Sequence, residues 1–346
     1  SSAASDVYKR QVKKGQIADN KSSGPAFLAM ELMGQKVAGA EALVQQSLRE
    51  QTGNDMAMAY VRILIEVERY QDAIEQLQKI TRQAPQLADA WLVLGSLQFE
   101  QDQDKAAEAS LARYVSIATQ NPTDTSTRGL NQAQTRRAAL LARQGKMDEA
   151  RSLIHQIPAS NSEEERTRIL AEVQLLREHR QWQTAFDFLA ANSGGDTDLV
   201  YEQAMLAEKL NQLDVMEKLL HQVIAQNPSY YNAYNALGFS LADRNIRLAE
   251  AKQLIIKALT FAPDDPFIID SLGWVEFRLG NLGSALNYLQ KAYKDRADTE
   301  IAAHLGEVLW KLKRQEEALK IWREGLNTAP GNETLQETLQ RLKPAL

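Results

Sequence analysis

A short pattern recurs along this chain and limits it more than any other feature. A small residue is followed four positions later by a large apolar one, and often three later by another small one. It reads Ala40-Val44-Ser47, Ala73-Leu77, Ala107-Leu111, Ala150-Ile154, Ala185-Leu189, Ala251-Ile255-Ala258, Ala285-Leu289-Ala292 and Ala318-Trp322-Gly325, with Met216-Leu220 as a larger variant. The steps between first residues are 33, 34, 43, 35, 31, 35, 34 and 33. A period near 34 means a stack of short supersecondary units, each burying its apolar face only against its neighbours.

The other slots agree. Gly95, Gly273 and Gly306 stand 12 residues before their small residue and Gly238 stands 13 before its own, each after a Leu. Pro85, Pro228, Pro263 and Pro330 stand 12 after. Two antiparallel helices approach closely only where small residues let them. Proline cannot continue a helix and so ends the second one. Asn227, Ser229, Asp264 and Asp265 beside these prolines read as turn and cap residues. Asp196 and Asp198 read as caps of the helix at Leu199 rather than as a calcium pair.

Composition fits helices. The chain has 346 residues, only 17 Gly and 9 Pro, and no Cys. Disulfides, thiolate metal sites and Cys nucleophiles are excluded. The net charge of −5 and the absence of a basic stripe argue against nucleic acid as a partner. No apolar run reaches the roughly 18 residues of a membrane-spanning helix. The first residues, Ser1-Ser2-Ala3-Ala4-Ser5, carry neither Met nor an apolar signal, which is expected of a processed export signal or a fragment.

The slots resemble the tetratricopeptide-repeat family across roughly residues 25 to 330, most strongly from Tyr231 to Leu326. The resemblance implies an all-α, right-handed α-solenoid of about nine helix-turn-helix units. In domain terms, 1–22 is a lead-in, 23–120 the N-terminal units, 121–130 a Thr/Ser-rich loop and candidate hinge, 131–331 the remaining units, and 332–346 a capping helix and tail. Leu335, Leu339 and Leu342 give that last helix one apolar face, as the open end of a stack requires.

No P-loop, G-x-S-x-G or H-E-x-x-H motif occurs. His155, His179, His221 and His304 are too far apart in sequence to form a helical metal pair. His304 reads as a satisfied helix histidine. The expectation is a non-catalytic chain without cofactor or metal, in which the repeats leave no room for a catalytic domain.

In the family, the first helix of each unit lines a concave groove. Carried onto this sequence, those slots hold Tyr201, Met205, Glu208 and Lys209; Asn232, Asn235, Phe239 and Asp243; Phe267, Asp270, Trp274, Phe277 and Arg278; and Glu300, Ala303, Glu307, Trp310 and Lys311. Rings beside amides and carboxylates suit a peptide: the rings bury its apolar side chains and Asn satisfies its backbone. The candidate partner-binding residues are Tyr201, Asn232, Asn235, Phe239, Asp270, Trp274, Phe277, Glu307 and Trp310. On this reading, replacing Trp274 and Phe239 by Ala weakens binding and leaves the melting curve intact. Trp91, Trp182 and Trp322 read as structural. The slots that hold a basic carboxylate clamp in cochaperone members carry Asn235, Asp270 and Ala303, so a chaperone C-terminal tail is not the expected ligand.

The stretches from Asn235 to Arg244, Asp264 to Pro266, Asp270 to Val275 and Glu300 to Trp310 resemble proteobacterial outer-membrane tetratricopeptide lipoproteins. Some of these tether a periplasmic carboxyl-terminal processing protease and present cell-wall hydrolases to it. The resemblance implies an adaptor at the periplasmic face of the outer membrane, anchored through a lipidated cysteine upstream of Ser1. Two alternatives stand beside it: an assembly scaffold for envelope or cytoplasmic complexes without proteolysis, and the targeting part of an enzyme whose catalytic domain lies outside this chain.

Overall fold

The computed structural model describes residues 29–344 apart from 31, 36, 38, 51, 52 and 123–125. The lead-in 1–22 lies outside the described residues. Every regular element described is a helix, and each of two compact units, residues 1–179 and 180–346, is a stack of them.

The first unit holds α1 (Ala40–Glu50), α2 (Asn54–Glu66), α3 (Tyr70–Gln83), α4 (Ala88–Glu100), α5 (Asp104–Gln120), α6 (Ser126–Arg143), α7 (Met147–His155) and α8 (Ser162–Glu178). The second holds α9 (Trp182–Asn192), α10 (Thr197–Lys209), α11 (Leu213–Gln226), α12 (Tyr231–Asp243), α13 (Leu248–Phe261), α14 (Pro266–Arg278), α15 (Leu282–Asp295), α16 (Thr299–Lys311), α17 (Gln315–Thr328) and α18 (Glu333–Leu342). Even-numbered helices through α16 are the first of each repeat, and odd-numbered ones the second.

The small-residue slot grades the hairpins. A Cβ at Gly95 would lie 2.7 Å from Leu111 Cγ, and at Gly273 2.6 Å from Leu289 Cγ. At Gly306 it would collide with the indole of Trp322. Glycine hairpins pack most extensively, Ala138 and Ala204 hairpins next, and the Val61 hairpin less. Val173 fills this slot in the repeat of α8 and α9, and there the chain divides between His179 and Arg180. This division falls inside one predicted repeat. Across 121–130 one apolar cluster joins Leu111, Tyr114 and Ala118 of α5 to Ala133 and Leu140 of α6.

Each first helix ends in the same turn. Glu68, Asp102, Gly145, Arg180, Asn211, Asn245, Gly280 and Lys313 all have positive φ, and they keep the repeat spacing. In seven of these turns the following N–H reaches back five residues, as Arg69 N to Leu64 O (2.8 Å) and Gln103 N to Gln98 O (2.8 Å), which satisfies carbonyls the helix end leaves open. Of the caps read from sequence, Asp265 and Asp196 are in place and Asp198 is not. Asp265 Oδ1 accepts from Phe267 N and Ile268 N, with Pro266 opening the helix. Asp196 accepts from Asp198 N and Leu199 N, so it caps α10 and Asp198 does not. In the last helix Leu335 is fully buried, and Leu339 and Leu342 pack beside it.

Candidate functional site

The first helices of successive repeats lie side by side, so residues about 34 apart become neighbours. In the second unit this builds a polar and aromatic network. Both carboxylate oxygens of Asp270 on α14 lie 2.9–3.0 Å from Nδ1 of His304 on α16. The His304 ring stacks on Trp274 with centroids 4.3 Å apart, and Phe239 tilts against it at 5.7 Å. Trp274 Nε1 donates to Asp243 Oδ1 at 3.2 Å. Phe277 stacks on Trp274 at 5.2 Å, and the Arg278 guanidinium lies 5.4 Å from its ring centre. Arg278 also donates to the carbonyls of Ala242 and Asp243, closing the C-terminal end of α12. One turn along α16, Glu307 accepts both arms of Arg341 on α18 at 2.7 and 2.5 Å.

The predicted contact residues therefore separate by depth. Asp270, Trp274 and Glu307 are buried, each 4–5% exposed. Their charges and ring faces already have partners within the fold. Tyr201 is half-buried against Tyr230, with centroids 5.3 Å apart. Burial first, then the charges of Glu202 and Glu208, push its phenol up to about 12. Phe239 and Phe277 are half-buried, and so is Trp310, which leans on Trp322 at 5.6 Å. Asn232 is exposed. Asn235 is half-buried, and its Oδ1 is sealed from solvent without a hydrogen-bond partner.

Acidic groups collect around this face. Glu208 is held above the usual carboxylate range, mainly by burial, with Asp243 and Glu300 adding repulsion against the opposing pull of Lys209 and Arg244. Lys209 Nζ meets Glu333 at 3.0 Å, joining α10 to α18. His304 itself is 4% exposed. Burial disfavours its charged form, but Asp270, by charge and hydrogen bond, then Glu300 and Asp243 outweigh that, and its pKa is raised above the ordinary value.

The first unit offers a different surface. Between α2 and α4 lies an open cleft of about 580 Å³, lined by Met58, Ala59, Ile65, Leu87, Leu92 and Val93, with Asp55 and Asp89 at one end and Arg62 farther along. A second cleft on the other side of α2 shares Ala59 and Arg62. Asp55, Met58, Arg62, Ile65, Asp89 and Leu92 occupy the groove slots of their repeats. Reading those slots from residue 54 onward would have found them. Among the described residues, no group of three His, Cys, Asp or Glu side chains is placed to hold a metal ion, and no helix is long and apolar enough to cross a membrane.

Residues 58–122 and 271–333 match the family profile described as Tetratricopeptide repeat. A curated repeat-containing protein of this kind from Pseudomonas aeruginosa is 40% identical over 179 residues, which is 51% of this chain and 30% of that protein. Less than a third of that relative's length is therefore covered. Two solved structures are similar at low identity. A tetratricopeptide repeat protein from Parabacteroides merdae is 14% identical, covering 83% of this chain and 97% of that one, with a TM-score of 0.46. A thermophilic tetratricopeptide-repeat protein from Thermus thermophilus is 20% identical, covering 62% and 99%, with a TM-score of 0.39.

Proposed function

We propose that this chain, a tetratricopeptide-repeat protein, is a non-catalytic scaffold that holds peptide or protein segments on the faces of its first helices. The observation that carries this reading is the cleft between α2 and α4. Met58, Ile65 and Leu92 are only half-buried: Met58 and Ile65 border the apolar cluster of α1 to α4 and Leu92 borders that of α5 and α6, and each leaves part of its surface on the cleft. Such a cleft buries apolar side chains of a partner, while Asp55, Arg62 and Asp89 at its margin orient the partner.

The same reading extends to a cell-envelope adaptor that presents substrates, cell-wall hydrolases among them, to a periplasmic carboxyl-terminal processing protease. Support for it is the sequence resemblance of the stretches 235–244, 264–266, 270–275 and 300–310. The test is affinity capture from envelope extract with the full chain as bait. Recovery of a processing peptidase together with a cell-wall hydrolase supports the adaptor, and recovery of neither removes it.

Single substitutions test the scaffold separately. Met58→Glu and Leu92→Glu place a charge where a partner's apolar side chain would be buried. Each is expected to weaken capture by roughly tenfold or more, because an unpaired charge at a buried contact costs more than about 1.4 kcal/mol. Both side chains are partly exposed but also border apolar clusters, so each variant is melted alongside the capture, and a loss of capture is read only where the variant is folded at the capture temperature. Unchanged capture in both variants would rule out this cleft.

A further inference from the structure

We propose that His304 is a protonation-dependent clamp between α14 and α16, so that the second unit's face of first helices tightens when the imidazole is charged and loosens when it is neutral. His304 and Asp270 are each about 95% buried, come from successive repeats, and meet through Nδ1 and both carboxylate oxygens. Either charge state keeps an Nδ1–H for Asp270. What the second proton adds is the positive charge that balances a carboxylate removed from water. Losing it leaves Asp270 hydrogen-bonded but uncompensated in a low-dielectric site, which is a costly arrangement.

The surroundings favour the charged form from several sides. Trp274 lies flat against the ring at 4.3 Å and Phe239 tilts toward it, and an aromatic face attracts a cation. The charged groups acting on His304 are Asp270 from α14, Asp243 from the end of α12 and Glu300 from α16 itself, all negative. The nearby cations are engaged elsewhere. Arg278 lies over Trp274 and donates to carbonyls of α12, and Arg341 is paired with Glu307. A charged His304 therefore links α14 to α16 directly, and to α12 through the Trp274–Asp243 hydrogen bond.

The sign follows from the direction of the shift. The folded pKa lies above the unfolded value of about 6.5. The stabilisation is therefore full below about 6.5 and is lost as pH rises through the folded value. Only the consequence for ligand binding rests on the scaffold reading. The titration is a property of the free chain.

The experiment is an NMR pH titration of the histidine rings of the full chain, with thermal melts of the second unit followed by tryptophan emission at the same pH values. The expected result is a His304 midpoint above 6.5, with the melting temperature falling as pH passes through that midpoint. Asp270→Asn keeps an acceptor for Nδ1–H but removes the charge. In that variant the midpoint is expected to fall below the wild-type one and the pH dependence of melting to flatten. If Asp270→Asn does not fold, the wild-type titration still decides. A wild-type His304 midpoint at or below 6.5, or a melting temperature constant across it, overturns the clamp. Failure to capture any partner would count against the scaffold and leave this result standing.

Discussion

Trp322→Ala is expected to lower the stability of the second unit by about 3–5 kcal/mol, the usual cost of emptying a buried Trp site. For a unit of this size that corresponds to a fall of roughly 6–20 °C in melting temperature. Trp322 is wholly buried, its indole lies over Gly306, and its Nε1 donates to the Ala303 carbonyl at 3.4 Å. The ring occupies the space that the missing Cβ of Gly306 leaves, so the two residues act as one packing unit. Gly306→Ala isolates the same contact from the other side. In an open helix position Gly→Ala stabilises by up to about 1 kcal/mol. At Gly306 the sign is expected to reverse, to a loss of about 1–3 kcal/mol, because the indole has to move. Gly283 has no atom near its Cβ position, and Gly283→Ala serves as the control that does not destabilise. Tryptophan-detected denaturation of the three variants checks the set.

Trp274→Ala is expected to be comparably damaging, by about 3–5 kcal/mol. This reverses what the sequence suggests, where Trp274 reads as a contact ring whose removal spares the melt. The reversal has a plain cause. Trp274 is 4% exposed, stacks on His304 and Phe277, and is hydrogen-bonded to Asp243. Trp274→Phe keeps a ring for the stack and loses the donor, so its expected cost is nearer about 1 kcal/mol. Phe239→Ala removes a half-buried ring and is expected to cost less than Trp274→Ala. If Trp274→Ala melts with the wild type, the network around His304 is not what holds this face together.

How much of this is legible without coordinates depends on the kind of residue. Slots fixed by backbone approach read well: Gly95, Gly273 and Gly306 lie where the spacing puts them, and Asp265, Asp196 and Asn227 serve as caps or turn residues. Such roles depend on local geometry that each repeat restates. The division of the chain is harder to see. Val173 is one branched residue in a glycine slot, and the Thr/Ser-rich loop near Pro122 is the louder signal, yet apolar packing continues from α5 to α6. Residues at groove slots are the least legible. Spacing shows that Asp270 and His304 share a side of the stack. It does not show that each satisfies the other and so leaves the surface. The cleft beside Met58 follows from the same slot rule, but no aromatic residue lines it.

The central claim is that the faces of the first helices bind a protein segment. The direct measurement is site-specific photo-crosslinking of the full chain in envelope extract. One probe stands at Met58 or Leu92 in the cleft, and control probes stand at exposed Ile256 and Tyr288 on second helices. The account predicts protein adducts from a probe at Met58 that are lost with Leu92→Glu, and from a probe at Leu92 that are lost with Met58→Glu. Adducts confined to Ile256 and Tyr288, with none from the cleft, would contradict it.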